Sequence, residues 1–554
     1  MSFLVVFIFC LLSFFYFSSF GAFCNRFFYK IDKIDNVLEY CLLGVFSLSF
    51  IGLFANFFIS LNTYFNSLIF IFSIIYFFFL EKNLKLKILK YSIIISLISF
   101  LTIIFDYTNR PDSGLYHLPY TGLLNEEKLI IGSANLNERF GIISIIQYLS
   151  AINNNFLFDE NGILIPLVII YSSTLLFFFN IFFNNKQNDN LRVLSFLFII
   201  FILTNLNRYS GFGNDGPAHF YYFILTYYYL EFSNTNFADK GFKLITIISI
   251  YIFLIKPFFI LLFILPLIFI INNYKNIKIL SRINFFALFI ISLWLIKNFL
   301  VTGCLLYPLD FTCMQKFDWT LDPSLMAIES EAWTKGWPDT IDKSINYEEY
   351  VKNFYWIDTW VNNHMKIIFK KLSPFIIILV ILIVVVLTKN LKNKLNHEKK
   401  YIELLVFNLI AIFIWFLLYP NYRFGLSLYG SFFSLFFIIF FFNRLSLKNI
   451  FFYNCTIFFV FFSSFVIILK NIDRIYNNYS TFYIDYPWPK KNSHYTTNHK
   501  LINEPIEYNG EAIYYIPPKG ELCFYSKSPC THKKNLKIKN EMVFNFFRKY
   551  TIDD

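Results

Sequence analysis

Charge is what this sequence has least of. Only 15% of its 554 residues are Asp, Glu, Lys or Arg, against roughly 25% in soluble globular domains. The shortfall runs along nearly the whole chain and excludes a soluble enzyme. Arginine is scarcer still, with ten residues among 48 basic ones. No internal repeat and no low-complexity linker is present. None of the 8 cysteines stands in a Cys/His metal spacing. The first apolar run lacks a basic leading region and a cleavage motif, so it reads as a retained helix and not as a removed signal.

What is present is apolar. Hydrophobic residues make up 57% of the chain, including 77 Phe and 38 Tyr, and the mean hydropathy is +0.53. Phe, Tyr, Ile, Asn and Lys are all abundant while Arg is rare, which fits a genome rich in A and T. Phe is therefore membrane filler, and its frequency says little about function. Runs long enough for a bilayer of roughly 30 Å recur near 3–24, 37–60, 64–80, 91–105, 162–183, 191–206, 217–232, 284–300, 373–388, 401–419, 425–442 and 450–469. The stretch 242–272 is too long for one ordinary span and carries Lys256-Pro257 in its middle. Proline breaks a helix at or before its predecessor, so two short helices turn at Lys256. The fold class is an all-α polytopic membrane protein with about fourteen transmembrane helices.

Lysine sets the orientation. Connections at 25–36, 81–90, 273–283, 389–400 and 443–449 are rich in Lys and Arg, whereas 61–63, 207–216 and 420–424 carry almost none. The positive-inside rule makes the first set cytoplasmic. Every connection then alternates correctly if 242–272 crosses twice, which puts both termini outside. Three sizeable outer segments follow: 106–161, 301–372 and a tail, 470–554, beyond the membrane domain 1–469. Residues 138–152 are too short to span and lie at the interface or re-enter. The tail, with Pro487-Trp488-Pro489 and Pro517-Pro518, reads as a small, mostly irregular outer cap. The net charge of +12 sits mostly on the inner face, where anionic lipid attracts it, and implies no nucleic-acid partner. Cys304 and Cys313 share one outer loop and Cys523 and Cys530 share the tail. An oxidising compartment allows two local disulfides there, with cross-pairing equally open.

Intramembrane charge costs about 2.5–3.5 kcal/mol or more per group, so a site should gather at one surface. The outer surface collects Asp112 with Tyr116 and His117, then Arg139, then Arg208 and Asp215 with His219 one turn inside the next helix. Lys256, Asn298 and Arg423 complete the set, in which Tyr116, His117, His219 and Asn298 are the expected substrate contacts. Four of the ten Arg (Arg110, Arg139, Arg208, Arg423) lie there against the positive-inside bias. Each has a plainer reading. Pro111-Asp112-Ser113-Gly114 is a turn signal with Asp capping local amides. Asn214-Asp215-Gly216-Pro217 is a good helix start, and Lys256 can snorkel. Their convergence argues for more. Guanidinium forks suit phosphate bidentately, and carboxylates beside them can take a hydroxyl proton or hold a divalent cation, Mg or Mn. Of the Trp in 301–372, Trp333 and Trp337 are the better sugar contacts, although indoles also anchor interfacial helices.

These landmarks resemble the GT-C superfamily of membrane glycosyltransferases. The likeness rests on an Asp in the first large outer loop, a second acid at Gly213-Asn214-Asp215-Gly216-Pro217, Lys256-Pro257, and the stretch from Trp294 through Lys297-Asn298 to Tyr307-Pro308. An uncharacterised bacterial branch of that architecture is nearer, sharing Asp112 to His117, Glu138 to Gly141, Tyr419-Pro420 with Arg423-Phe424-Gly425, and Cys523 to Thr531. The resemblance touches landmarks over 105–535. It implies a bacterial inner-membrane enzyme using a polyprenyl-phosphate-linked sugar donor and an envelope glycan, lipid or protein acceptor on the outer face. Asp112 takes the role of general base or metal-proximal acid and Asp215 that of second acid. Arg139, Lys256, Arg423 and Arg208 hold the donor phosphate. The first loop lacks an Asp-X-Asp pair, and Lys297 stands where that family commonly has Arg. A lipid-linked glycan flippase, or a polymerase or ligase acting on a preassembled lipid-linked glycan, are the rival readings; the oligomeric state is not legible.

Overall fold

A computed structural model describes residues 2–31, 34, 36–107, 111–206, 213–278, 282–340, 344–388, 399–442, 447, 449–481, 487–489, 503–508, 511–519, 521–533, 536–544 and 546–552. Helices dominate. The first four are α1 (Ser2–Cys24), α2 (Val37–Ala55), α3 (Thr63–Phe77) and α4 (Lys82–Ile103). The first large loop holds α5 (Leu118–Glu126) and α6 (Ile145–Ile152). Six more follow: α7 (Ile165–Phe183), α8 (Asp189–Asn205), α9 (Asp215–Phe232), α10 (Ala238–Ile255), α11 (Ile264–Asn273) and α12 (Arg282–Thr302). The second loop carries α13 (Ser324–Thr334), α14 (Tyr347–Lys352) and α15 (Trp356–Trp360), before α16 (Lys366–Thr388), α17 (Lys399–Leu418), α18 (Tyr422–Phe440) and α19 (Ile450–Thr481).

Among the described residues, ten helical segments are long and apolar enough to cross a membrane. The chain is a polytopic helical membrane protein. The other four expected spans are also helices, but shorter or less apolar: α3 has 15 residues, α8 has 17, and α9 and α10 have 18 each. The expected turn at Lys256 is present. There α10 ends at Ile255, Lys256 adopts extended φ −150° and ψ 104°, and a 3-10 turn runs from Pro257 to Phe263 into α11. Two expectations on extent are corrected. The Lys-rich stretch 82–90 belongs to α4, since Lys is a good helix former. The last helix runs on from 469 to Thr481. Its polar end is pinned across α4, where Arg474 donates to the Leu101 carbonyl (2.8 Å) and Asn478 to that of Phe105 (2.7 Å).

The segment 138–152 holds a 3-10 turn, Glu138–Gly141, and the short helix α6. All eight residues of α6 are buried, and its Ser144 hydroxyl bonds the Ile255 carbonyl at 2.8 Å. The tail is more regular than expected. Two antiparallel hairpins form, β1 (Glu504–Tyr508) with β2 (Glu511–Ile516), and β3 (Ile538–Val543) with β4 (Phe547–Ile552). Alternating polar and apolar residues such as Ile513 and Tyr550 give each hairpin one buried side, and both of these are buried. Disulfides join Cys304 to Cys313 and Cys523 to Cys530, so pairing is local in both cases.

The tail docks onto the first large loop. Phe524 donates its backbone N–H to the Gly114 carbonyl (2.9 Å), Tyr550 to that of Ile131 (2.9 Å), and the Thr531 hydroxyl to that of Leu136 (3.0 Å). Arg548 pairs with Glu127 at 3.0 Å. Gly114 permits this approach, because a Cβ there would lie 2.8 Å from the Phe524 ring. All three large non-membrane segments therefore share one face of the bundle, and Asn135 ties them by donating to the carbonyls of both Trp319 and Tyr550.

Candidate functional site on the loop-bearing face

Asp112 opens the site. It immediately precedes a π-helical turn, Ser113–His117, that leads into α5; such turns recur at functional sites. Its carboxylate makes no capping hydrogen bond to that turn. Instead Oδ2 lies 3.6 Å from Nη1 of Arg423. Asp215 is the first residue of α9 and the acid of its first turn, and Asn214 before it makes no side-chain cap. One of its oxygens receives the Lys256 ammonium, and the other lies 3.9 Å from Nε of Arg423. Lys256 reaches this point because the chain breaks at Pro257, and its ammonium also sits 3.2 Å from the Phe424 ring centroid. Four residues distant in sequence thus form one alternating array of two carboxylates and two cations.

Burial and charge set the ionisation. Burial pushes the Asp215 carboxyl up, but Lys256 and Arg423 outweigh it and hold it at about 2. Burial lowers Lys256 to about 8 despite the pull of Asp215. His117, one turn beyond Asp112, is lowered by burial to about 4 and is neutral at physiological pH. Its Nδ1 lies 3.4 Å from Nε2 of Gln147. At neutral pH the array is charge-balanced and half open to solvent: the Arg423 side chain is 47% exposed and that of Asp112 38%. Exposed pairs of this kind are weak, so an anionic ligand can exchange into them.

A supporting layer, not evident in the sequence, holds Arg423. His219 is buried, with Nε2 2.6 Å from the Arg423 carbonyl and Nδ1 2.8 Å from the Ser427 hydroxyl. It is a positioning residue, since both ring nitrogens are engaged by protein. Trp360 donates its indole N–H to the Pro420 carbonyl (2.7 Å) and Trp415 to that of Asn421 (2.9 Å). Asn421 in turn caps α18 by accepting from the Arg423 N–H at 3.1 Å. Below the array, Tyr222, Phe258, Phe259, Leu262, Ala411 and Leu428 line a narrow apolar crevice.

The remaining expected residues divide. Tyr116 joins the array, with Arg139 5.4 Å from its ring centroid; burial raises the Tyr116 hydroxyl well above its usual range. Arg139 is therefore linked to the array through an aromatic face. Asn298 is buried with its amide bonded to the Trp294 carbonyl at 2.9 Å, so a substrate contact is not its arrangement here. Trp337 packs on Tyr347 with ring centroids 4.6 Å apart, and Trp333 is exposed on α13. Arg208 and Arg110 lie outside the described residues. Asp112 and Asp215 are the two acids a divalent cation would need, yet Arg423 occupies the space between them. Among the described residues no group of three or more His, Cys, Asp or Glu side chains is placed to hold a metal.

No curated protein and no solved structure matches the chain. One family does, over residues 3–430, a span that includes Asp112, Asp215, Lys256 and Arg423. The protein belongs to the family described as a domain of unknown function, DUF8201.

Proposed function

We propose that this protein is a membrane glycosyltransferase of GT-C-like architecture. It moves a sugar from a polyprenyl-phosphate donor to an envelope glycan, lipid or protein on the outer face of a bacterial inner membrane. In this reading α3, α8, α9 and α10 cross with the ten longer segments to give fourteen spans, with both termini outside. The observation that carries it is the Asp112–Arg423–Asp215–Lys256 array on the loop-bearing face. The two cations suit the phosphate at the head of such a donor.

The proposed transfer has one order of events. A donor phosphate arriving at Arg423 competes with Asp112 for the guanidinium and frees that carboxylate. Asp112 then takes the proton of the acceptor hydroxyl as its oxygen attacks the anomeric carbon. The bond from that carbon to the phosphate oxygen breaks, and Arg423 and Lys256 neutralise the leaving phosphate. Asp215 keeps Lys256 and Arg423 in place. Single displacement inverts the anomeric centre.

Asp112→Asn is expected to abolish transfer of labelled sugar to envelope glycan while the protein still accumulates in the membrane. Unchanged transfer would remove Asp112 from the role of base. A lipid-linked glycan flippase is the second reading, favoured by the break at Lys256 inside a long apolar run. Flux of labelled lipid-linked sugar without transfer would select it. Turnover of only a preassembled lipid-linked glycan would select a polymerase or ligase.

A further inference from the structure

The two most exposed large apolar side chains among the described residues are Phe544 (90%) and Phe311 (86%). Neither belongs to the site above. Phe311 stands in the loop closed by Cys304–Cys313, which begins just after α12 ends at Thr302. Leu309 and Met314, in and beside that loop, are exposed with it. Phe544 stands in the turn between β3 and β4, flanked by exposed Met542 and Phe546. Two separate hairpins each end in an apolar tip.

Both are fixed to the same two membrane-length helices. Lys549 of β4 pairs with Asp318, 2.5 Å away and just after the disulfide loop, and the Gly132 N–H bonds the Leu300 carbonyl of α12 at 2.8 Å beside the Ile131–Lys549 bridge. On the other side, the Lys128 ammonium sits 3.3 Å from the Phe546 ring centroid, and the next residue, Leu129, donates to the carbonyl of Asn56 (2.8 Å) at the end of α2. Lys297 of α12 donates to the side-chain oxygen of the same residue, Asn56 Oδ1, at 2.8 Å. The ends of α2 and α12 mark the level of the membrane surface on this face. Phe54 in the last turn of α2 and Phe58 and Ile59 just past it form an exposed apolar row.

We infer that the Phe311 and Phe544 tips insert into the bilayer surface on the loop-bearing face and form an anchoring edge beside α2 and α12. Aromatic tips flanked by the Lys128 and Lys316 ammonium groups match the boundary between acyl chains and phosphate headgroups. The row at Phe54 to Ile59 makes that edge continuous with surface already facing lipid. An apolar protein partner would gain nothing from the lysine rim. This assignment is independent of the reaction proposed above.

The test replaces Phe311, Phe544, Phe58 or Lys537, one at a time, with the photocrosslinker benzoylphenylalanine in the full chain. Each variant is reconstituted in vesicles of phosphatidylcholine and phosphatidylglycerol, irradiated, and weighed by mass spectrometry. Phospholipid adducts are expected at 311 and 544 at the level found at 58, and not at 537, which is exposed on the approach to β3. Loss of adducts at either tip, while Phe58 still labels, overturns the shared edge. Crosslinks to a second copy of the chain in place of lipid also overturn it.

Discussion

Arg423 and Asp112 meet across the loop-bearing face, with Nη1 and Oδ2 3.6 Å apart. The same guanidinium also faces Asp215 through Nε at 3.9 Å. A planar fork can address two carboxylates at once, whereas an ammonium is a point charge. Arg423→Lys is therefore expected to keep the protein in the membrane but to lower transfer about a hundredfold, the scale of a small misplacement at a reacting centre. Arg423→Ala removes the counter-charge from both acids and should lose more. Single-turnover transfer by purified variants measures both; an Arg423→Lys enzyme as fast as the parent would show that the fork is not used.

The paired cation sets an alkaline limit. Lys256 is held at about 8 in the folded protein against 10.5 when solvated, because burial penalises the ammonium more than Asp215 favours it. Between those values the unfolded chain binds the extra proton, so the contribution of this group to stability rises with pH across that window. The ammonium needed at the site is lost over the same window. Transfer should fall with an apparent pKa of about 8 while the melting temperature does not fall with it. Lys256→Arg, which stays charged, should abolish that limb in a pH–rate profile. Asp215 works elsewhere: its stabilisation is complete above 3.8 and is lost as pH falls towards about 2.

His117 supplies an acid limit on stability. Burial holds it at about 4 against 6.5 in water. From 6.5 down towards 4 the unfolded chain takes up a proton that the folded chain refuses, so acidification destabilises the fold across that interval. His117→Gln keeps a hydrogen-bonding side chain near Gln147 and removes the titration. Its melting temperature should depend less on pH in that window than the parent's. An identical slope for the two would place the responsible group elsewhere.

What the sequence revealed follows from the rarity of its charges. Asp112, Asp215, Lys256 and Arg423 stood out because few ionisable groups interrupt the apolar runs, and the structure gathers all four. The break at Lys256 was legible too, since Pro257 dictates it locally. The supporting layer was not. Trp360 read as one of the interfacial indoles of 301–372 and Trp415 carried no signal inside its apolar run; only the tertiary fold brings their indoles to the carbonyls of Pro420 and Asn421. His219 looked like a substrate contact because one turn inside a helix says nothing about which neighbour its ring nitrogens meet. Pro and Gly punctuation made the tail look irregular, while its strands are fixed by pairing within hairpins and by docking on residues far away in sequence.

That docking makes a graded prediction about glycine. Gly132 has φ +68°, and a Cβ there would lie 2.3 Å from the Tyr550 carbonyl oxygen, a backbone atom that cannot swing away. Gly114 has an ordinary backbone conformation, and its added Cβ would meet the Phe524 ring at 2.8 Å, a side chain that can yield somewhat. Gly132→Ala should therefore cost about 1–3 kcal/mol, the scale of a left-handed conformation forced on a residue with a Cβ, and Gly114→Ala less. Both loosen the β3–β4 region or the Cys523–Cys530 loop from the first large loop while leaving the membrane helices intact. Limited proteolysis should accordingly cleave within 503–552 fastest in Gly132→Ala, more slowly in Gly114→Ala and slowest in the parent. If Gly132→Ala resists protease as the parent does, the cap is not held at Tyr550.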